Sequence, residues 1–259
     1  MAKLDGQPIT IDQLAALVLV PYGHFTSMRV DNHRVRGLSL HLERLSRDCR
    51  VLYNVDLDLN NVRAYLRQAI TDLSGSIMVR VTIFDPELDL AHPGAAATPH
   101  ILVTTRPAPV LPLTPLRLQS AQYCREDPAI KHIGLYGSLH LRRIAQQSGF
   151  DDVLFVDAAG KVSEGATWNL GLFDGEHVIW PQSEVLAGIT MRLLADAHGG
   201  SATTPFHLHD LPNMEAVFAT NTAIQVRPIA AIDEAKWSTD HPIIKQLQDE
   251  YSEITPEAV

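Results

Sequence analysis

The stretch IKHIGLYGSLHLRRIAQQSGFDDVLFVDAAGKVSEGATWN, residues 130–169, joins one helix to a series of short strands. Apolar residues at helical spacing, ended by Gly149, predict a helix over 133–147 with Lys131 at its head. VLFVD, a DAAG turn and KVSEG then predict strands, the last of which ends near Glu164. The stretch therefore indicates a mixed α and β fold whose strands are short.

The sequence beyond this stretch continues the pattern of short strands. WNLGLF, a DG turn and HVIWP predict a hairpin, and FATNTAIQVRPIAAID predicts late strands. A helix is predicted to begin at GIT (188–190), and HPIIKQLQDEYSEI supplies a C-terminal helix. Short strands thus dominate the C-terminal half.

The N-terminal half combines strands with two helices. YGHFTSMRV and VRGLSL are β-rich runs separated by DNHR, which predicts a hairpin. Ser39 is predicted to cap one helix and Asn60 a second. SIMVRVTIF (76–84) and HILVTTRP (100–107) are β-branched runs around a loop rich in Pro, Gly and Ala. Together these elements form an α+β domain.

A proline-rich segment divides the chain. PAPVLPLTP has four prolines, which exclude a helix and stiffen the backbone. The sequence therefore predicts a small N-terminal domain over 1–107, a linker over 108–115 and a larger C-terminal domain over 116–259.

Composition limits the partners and the compartment. The 259 residues are 46% hydrophobic and 20% charged, which suffices for a substantial core. A formal net charge of −9 without a Lys/Arg run argues against nucleic acid as the main partner. The sequence shows neither an export signal nor a long apolar stretch, which predicts a cytoplasmic protein without membrane partners. Cys49 and Cys124 lack the spacing of a disulfide framework, and the histidines of HLHD (207–210) have no further cluster, so no metal site is predicted.

Lys131 is the first candidate for chemistry. An amine next to apolar helical positions is partly desolvated, which lowers its pKa and frees the neutral nucleophile. For an isolated lysine, a solvated helix start is the alternative interpretation, because most lysines are exposed.

Further motifs in register favour the chemical interpretation. Arg44 in HLERL, Glu164 in SEGATWN, GIT at 188–190 and NTA at 221–223 accompany Lys131. Together they resemble the fold-type IV pyridoxal-phosphate enzymes, which include branched-chain and D-amino acid aminotransferases and aminodeoxychorismate lyase. The resemblance covers about residues 20–232. It implies a small N-terminal α/β sandwich, a larger C-terminal β-barrel-like α/β domain and pyridoxal 5′-phosphate as cofactor.

The resemblance implies a role for each matched residue. Lys131 forms a Schiff base with the cofactor aldehyde, and Glu164 contacts the pyridine nitrogen, where a negative charge makes the ring an electron sink. Tyr136 matches a tyrosine that bonds the phenolic oxygen in the branched-chain enzymes, although a packed core tyrosine is an equal alternative. The remaining cofactor residues, expected at the phosphate and its loop, are Arg44, Gly188, Ile189, Thr190, Asn221 and Thr222.

Alternatives to these roles are structural. Arg44 as a surface partner along its helix, and Glu164 as a surface residue after a turn, would carry no chemistry. The sequence also departs from the family: the opening reads VPYGHFTS and is shortened, and Asn221 stands where relatives often have glycine.

Substrate recognition rests on fewer residues. HFTSMRV resembles FTTARV of the lyases and FEGIR of the transaminases, and Arg80 aligns with an arginine near a carboxylate pocket, although both arginines could be strand-surface charges. The residues expected on the substrate side are Phe25, Thr26, Arg29, Arg80 and Ala223.

The resemblance implies transamination between an amino acid or amine and a keto acid, with the freed Lys131 amine moving the Cα proton. One alternative is lyase-type β-elimination, which HFTSMRV favours together with the Lys131–His132 pair, since the lyases carry the same two residues. The other alternative is a non-catalytic small-molecule binding protein that retains the fold. Relatives form homodimers, and the resemblance implies the same here.

Overall fold

The computed structural model describes residues 2–259, which form two compact units. The first contains the chain up to Ala108 together with Ile130–Gly134 and Thr255–Val259. The second consists of Pro109–Ala129 and Leu135–Ile254. Lys131 therefore lies in the first unit, and the helix that follows it lies in the second.

The first unit is a seven-stranded sheet with helices, in the strand order β16-β4-β3-β5-β6-β1-β2. Numbered along the chain, its strands are β1 (Ala2–Leu4), β2 (Gln7–Pro8), β3 (His24–Asp31), β4 (Arg34–Val35), β5 (Ser76–Phe84), β6 (His100–Pro107) and β16 (Glu257–Ala258). Its helices are α1 (Ile11–Leu19), α2 (Leu38–Tyr53) and α3 (Leu59–Ile70). Every strand pairing in this sheet is antiparallel.

Helices α2 and α3 pack on one face of this sheet. Leu38, Leu42, Leu45 and Cys49 recur at helical spacing on α2 and are buried, so one stripe of the helix contributes to the main core of the unit. Alternate residues of the strands, such as Val79 on β5, meet that stripe. This two-layer arrangement agrees with the predicted α/β sandwich.

The second unit contains the remaining strands and three α-helices. Its strands are β7 (Leu116–Gln122), β8 (Asp152–Val156), β9 (Val162–Gly165), β10 (Asn169–Phe173), β11 (Val178–Pro181), β12 (Ser201–Thr204), β13 (Ala216–Asn221), β14 (Gln225–Ile232) and β15 (Ala235–Lys236). Its helices are α4 (Tyr136–Gln147), α5 (Ile189–His198) and α6 (Pro242–Glu253), with a short 3₁₀ helix at Leu208–Asn213.

Six strands of the second unit close into a barrel. The order β10-β13-β14-β7-β8-β9 returns to β10 through the pair formed by Glu164 and Asn169. One apolar cluster takes residues from all six strands, including Leu118, Leu172 and Ala219, so it fills the interior. Phe218 points to the other face of its strand and belongs to the cluster that packs against α5 and α6. The predicted barrel-like C-terminal domain is confirmed.

Several local predictions need correction. The first residue outside α2 is Gly37 rather than Ser39, whose hydroxyl bonds Glu257 instead, and Asp58 rather than Asn60 caps α3. The hairpin predicted after His24–Asp31 is limited to one pair, because the main partner of β3 is the long strand β5. The strand pair and helix before residue 20 were not predicted from the sequence. Within residues 2–259, no helix is both long and apolar enough to cross a membrane.

Candidate active site

Lys131 lies in an extended segment of the first unit, not at the head of a helix. Helix α4 begins only at Tyr136, so the predicted start of this helix is wrong. The main chain of the segment pairs with the start of β3, because the Phe25 N–H donates to the Lys131 carbonyl at 2.9 Å and the Ile133 N–H donates to the Gly23 carbonyl at 3.0 Å. These bonds hold the backbone extended, and the Lys131 side chain is half-buried.

Two cationic groups lie over the ring of Phe25. The Lys131 Nζ is 5.0 Å from the ring centroid, and the guanidinium carbon of Arg80 is 3.6 Å from it. Burial lowers the pKa of Arg80, because the charged form loses hydration. Aromatic contact holds both side chains in place. The arrangement sets an amine and a guanidinium beside one apolar surface.

Arg29, the other predicted substrate-side arginine, occupies a different part of β3. Its Nε donates to Asp31 Oδ1 at 3.1 Å. Because residues along a strand rise by about 3.3 Å each, Arg29 lies about 13 Å along the strand from Phe25. Contact of Arg29 with a substrate stays a prediction.

Arg44 and Thr26 meet on the face of β3 that packs against α2. Arg44 is only 7% exposed, which excludes a surface ion pair, and its Nη2 donates to Thr26 Oγ1 at 2.5 Å. The same hydroxyl lies 2.7 Å from His41 Nδ1. Consecutive strand residues point to opposite faces, so Thr26 does not share a surface with Phe25. Thr26 supports Arg44, and its contact with a substrate stays a prediction.

Two histidines next to Arg44 are neutral. Burial, reinforced by the charges of Arg44 and Arg47, lowers the pKa of His24 to about 3. Burial, with the charges of Arg44 and Lys131, likewise lowers the pKa of His41 well below its usual value. Because neither ring is charged near neutral pH, the two histidines add no positive charge to that of Arg44 and Arg47.

Glu164 lies near the end of β9 in the second unit and is buried. The alternative of a surface glutamate is thereby excluded. Its Oε1 accepts a hydrogen bond from Arg125 Nη1 at 3.3 Å. Arg125 was not predicted from the sequence, since it lies 39 residues away and belongs to none of the matched motifs. The pair fixes a buried carboxylate in a defined orientation.

The first turn of α5 has backbone N–H groups that the helix itself does not pair. The helix begins at Ile189 after Gly188, as predicted, and no side chain caps its first turn. Its free N–H groups and macrodipole favour an anion at this point. Among the described residues, the buried hydroxyl of Thr190 has no hydrogen-bond partner, and neither has that of Thr220 on the adjoining β13.

The turn after β13 is shaped by Asn221. Its Nδ2 donates to the Thr167 carbonyl at 3.0 Å, and its Oδ1 accepts the N–H groups of Ala223 at 2.8 Å and Ile224 at 2.9 Å. This closed turn is an Asx turn, which explains how asparagine serves where glycine is usual. The N–H of Ala223 is already engaged within the turn, and Thr222 occupies its half-buried centre.

Tyr136 is the first residue of α4 and is 79% exposed. Its ring stacks on His140 with a centroid distance of 5.4 Å. The alternative of a packed core tyrosine is therefore wrong, and its contact with the cofactor stays a prediction.

The donors in each unit fit pyridoxal phosphate. In the second unit, two buried hydroxyls without partners among the described residues and an uncapped helix start suit a phosphate dianion. In the first unit, the buried guanidinium of Arg44 by itself suits an anion. The Glu164 carboxylate suits a protonated pyridine nitrogen, and the Lys131 amine suits an aldehyde. A sandwich unit and a six-stranded barrel unit are the architecture of a fold-type IV pyridoxal-phosphate enzyme.

Residues 23–232 match the model of the family described as amino-transferase class IV, so the chain belongs to the class IV aminotransferases. Enzymes of this class use pyridoxal phosphate. The predicted family and cofactor are confirmed.

Relatives in this family carry aminotransferase names. A probable branched-chain-amino-acid aminotransferase of Synechocystis is 26% identical over 147 residues, which cover 52% of this chain and 48% of that protein. The chain thus aligns with about half the length of this relative. A probable enzyme of the same name from Rickettsia bellii is 26% identical over 89% of this chain and 86% of its own length.

The fold matches solved structures over nearly its whole length. The branched-chain aminotransferase of Thermoproteus uzoniensis, crystallised with norvaline, superposes with a TM-score of 0.86 over 97% of this chain and 93% of that one. The two sequences are 18% identical, so this likeness concerns the fold.

Proposed function

We propose that the chain is a pyridoxal-phosphate-dependent aminotransferase that moves an amino group between an amino acid or amine and a keto acid. The observation that carries the proposal is the placement of the Lys131 amine and the Arg80 guanidinium over one Phe25 ring. A carboxylate held by Arg80 would bring the carbon next to it near the amine. The branched-chain names of the relatives support amino acids with apolar side chains as donors.

Each residue then has a defined task. The bound cofactor supplies an electron sink for charge that develops at the substrate Cα. Lys131 would hold the cofactor covalently, and its amine would take the proton from the substrate Cα as a base and give it back as an acid. Glu164 would hold a proton on the pyridine nitrogen. Arg80 orients the substrate carboxylate, and Phe25 excludes water from one side.

The phosphate anchors the cofactor through groups that do not react. Arg44 contributes charge, while the start of α5 contributes the backbone N–H groups of Ile189 and Thr190. The hydroxyls of Thr190 and Thr222 complete the proposed set.

Borohydride reduction of the enzyme loaded with pyridoxal phosphate, followed by peptide mapping, tests the proposal. The expected result is one stable adduct, on Lys131, which the Lys131→Ala variant lacks. An adduct on another lysine, or none, contradicts the assignment. Absence of an adduct in the wild-type chain would favour the non-catalytic binding protein.

The reaction type requires a second assay. With an L-amino acid as donor and 2-oxoglutarate as acceptor, we expect the cofactor absorbance to cycle between its aldehyde and amine forms. The rival lyase reaction uses the same lysine and glutamate but needs no keto acceptor. Pyruvate formed from aminodeoxychorismate without an acceptor, with no such cycling, would establish elimination and refute transamination.

We further infer that the enzyme is a homodimer, as the family resemblance implies. Light scattering coupled to size-exclusion chromatography should give twice the mass of one chain, and the mass of a single chain would refute this inference.

A further inference from the structure

Asp48 is a fully buried carboxylate on α2 whose two oxygens have separate partners. Its Oδ1 accepts hydrogen bonds from Arg47 Nε at 2.9 Å and from Arg47 Nη2 at 2.6 Å. Its Oδ2 accepts the backbone N–H of Lys131 at 3.1 Å. A buried charge is costly unless it is paired and hydrogen-bonded. Both oxygens of Asp48 meet this requirement, and one does so through the residue that carries the reactive amine.

The main chain of Lys131 is therefore fixed from two sides. Its N–H donates to Asp48 on α2, and its carbonyl accepts from the N–H of Phe25 on β3. Contacts on both peptide groups restrict the backbone from which the side chain extends. The position of Nζ over the Phe25 ring depends on this anchoring.

Helix α2 also carries Arg44, four residues before Asp48. Residues at this spacing lie on the same face of a helix, and both side chains are buried. One helix face thus presents the guanidinium proposed for the phosphate and the carboxylate that holds the lysine backbone. The bond from Arg44 to Thr26 ties the same face to β3.

We propose that Asp48 is a positioning residue for Lys131, which sets the amine for reaction by anchoring its backbone to α2. This inference rests on the proposed function, since it concerns the amine that joins the cofactor. Asp48 itself touches neither reacting atom. Its loss should therefore affect the rate of the chemical step more than substrate affinity.

The Asp48→Asn variant tests the proposal because it keeps the shape of the side chain. The two partners bond different oxygens of Asp48, and asparagine has an NH₂ donor in place of one of them, so either Arg47 or the Lys131 N–H loses its acceptor. Asp5→Asn is the matched control. The Asp5 carboxylate likewise accepts a distant backbone N–H, that of Ile101 at 2.9 Å, and it also bonds His100.

Three measurements separate positioning from a merely structural role. In the cofactor-free protein, hydrogen exchange should be about tenfold faster in Asp48→Asn at peptides covering 130–134. In the loaded enzyme, the pH at which the change in visible absorbance is half complete should move by at least about half a unit. This midpoint reports the protonation of the Lys131 nitrogen, which depends on where that nitrogen is held. With donor and acceptor present, kcat should fall on the order of 10- to 100-fold while KM stays within about threefold. Asp5→Asn should leave the exchange at 130–134, the pH midpoint and the kinetic constants unchanged.

Other outcomes overturn the proposal. Faster exchange at 130–134 with unchanged kcat and midpoint would make Asp48 a structural anchor only. A lower kcat without faster exchange would show that Asp48 acts by another route. If Asp48→Asn does not fold, Arg47→Gln replaces it: this half-exposed arginine holds Asp48 in place, so its loss should change the same three readouts in the same direction.

Failure of the proposed function is a separate result. A wild-type chain that gives no borohydride adduct on Lys131 refutes the function and, with it, any positioning role. A wild-type chain that gives the adduct and turns over, while Asp48→Asn matches it in all three readouts, refutes only the role of Asp48.

Discussion

Replacing Gly188 with alanine tests how closely the start of α5 packs on the barrel. The Gly188 backbone has φ −65° and ψ 142°, which any residue adopts, so alanine brings no backbone strain. Its Cβ, however, would lie 2.0 Å from Asn169 Oδ1. The Asn169 side chain is buried and donates from Nδ2 to the Leu186 carbonyl at 2.8 Å. The variant fits only if Asn169 moves and that bond breaks.

The expected cost combines two effects. Breaking a buried hydrogen bond costs about 1–3 kcal/mol. Forcing a methyl group into a packed interior costs about 1–3 kcal/mol, and partial relief of each by relaxation leaves a loss of about 2–4 kcal/mol in the free energy of unfolding. For a chain of this size, such a loss lowers Tm by roughly 5–15 °C.

Thermal unfolding of the cofactor-free protein, followed by circular dichroism, measures this loss. Gly200→Ala is the control, since its Cβ would meet one atom only, the His198 carbonyl oxygen at 4.0 Å. The double variant Gly188→Ala with Asn169→Ala removes the clash. Its loss in the free energy of unfolding should therefore be smaller than the sum of the losses in the two single variants, by at least about 1 kcal/mol.

Strict additivity, or a Gly188→Ala protein as stable as the Gly200→Ala control, would refute the reasoning. Because the helix start carries the N–H groups proposed for the phosphate, pyridoxal phosphate should also raise the Tm of Gly188→Ala less than that of the wild type.

Three further predictions concern other parts of the chain. Burial lowers the pKa of His24 from 6.5 to about 3, so the unfolded chain binds a proton at a higher pH than the folded chain does. The free energy of unfolding therefore decreases by about 1.4 kcal/mol for each unit that the pH falls between these values. In urea titrations at several pH values, His24→Leu should flatten this dependence, and an unchanged slope would contradict the prediction. Arg80→Gln should raise the KM of a keto acid on the order of tenfold without affecting borohydride labelling of Lys131, whereas an unchanged KM would exclude carboxylate binding there. Asp152→Asn weakens the two-point bond from Arg142, at 2.8 and 2.7 Å, and should cost about 3 kcal/mol in urea unfolding, so a loss below about 1 kcal/mol would show that the pair is dispensable.

Patterns that depend on neighbours along the chain predicted the structure well. The 3.6-residue spacing of apolar residues predicted helix α2, and Gly188 predicted the start of helix α5. Both signals can be read from the sequence because they involve only residues close together along the chain. Helix starts were less accurate. Ser39 lies inside α2 and its hydroxyl bonds Glu257, a residue more than two hundred positions away.

Site residues divide along the same line. Lys131 and Glu164 were proposed as site residues because the motifs around them are local in sequence. The contacts of Arg125 with Glu164 and of Asp48 with Lys131 were not predicted, since these partners lie 39 and 83 residues apart and no periodicity links them. Thr26 was grouped with Phe25, although consecutive strand residues point to opposite faces of a sheet.

The sequence by itself determined the family, the cofactor class, the strand that carries Glu164 and the helix that begins after Gly188. Tertiary structure alone decided which carboxylate holds the backbone of Lys131, which cation meets Glu164 and that Tyr136 lies at the surface. The reason is physical: a motif records the chemistry of adjacent residues, whereas burial and long-range hydrogen bonds exist only after distant segments have packed together.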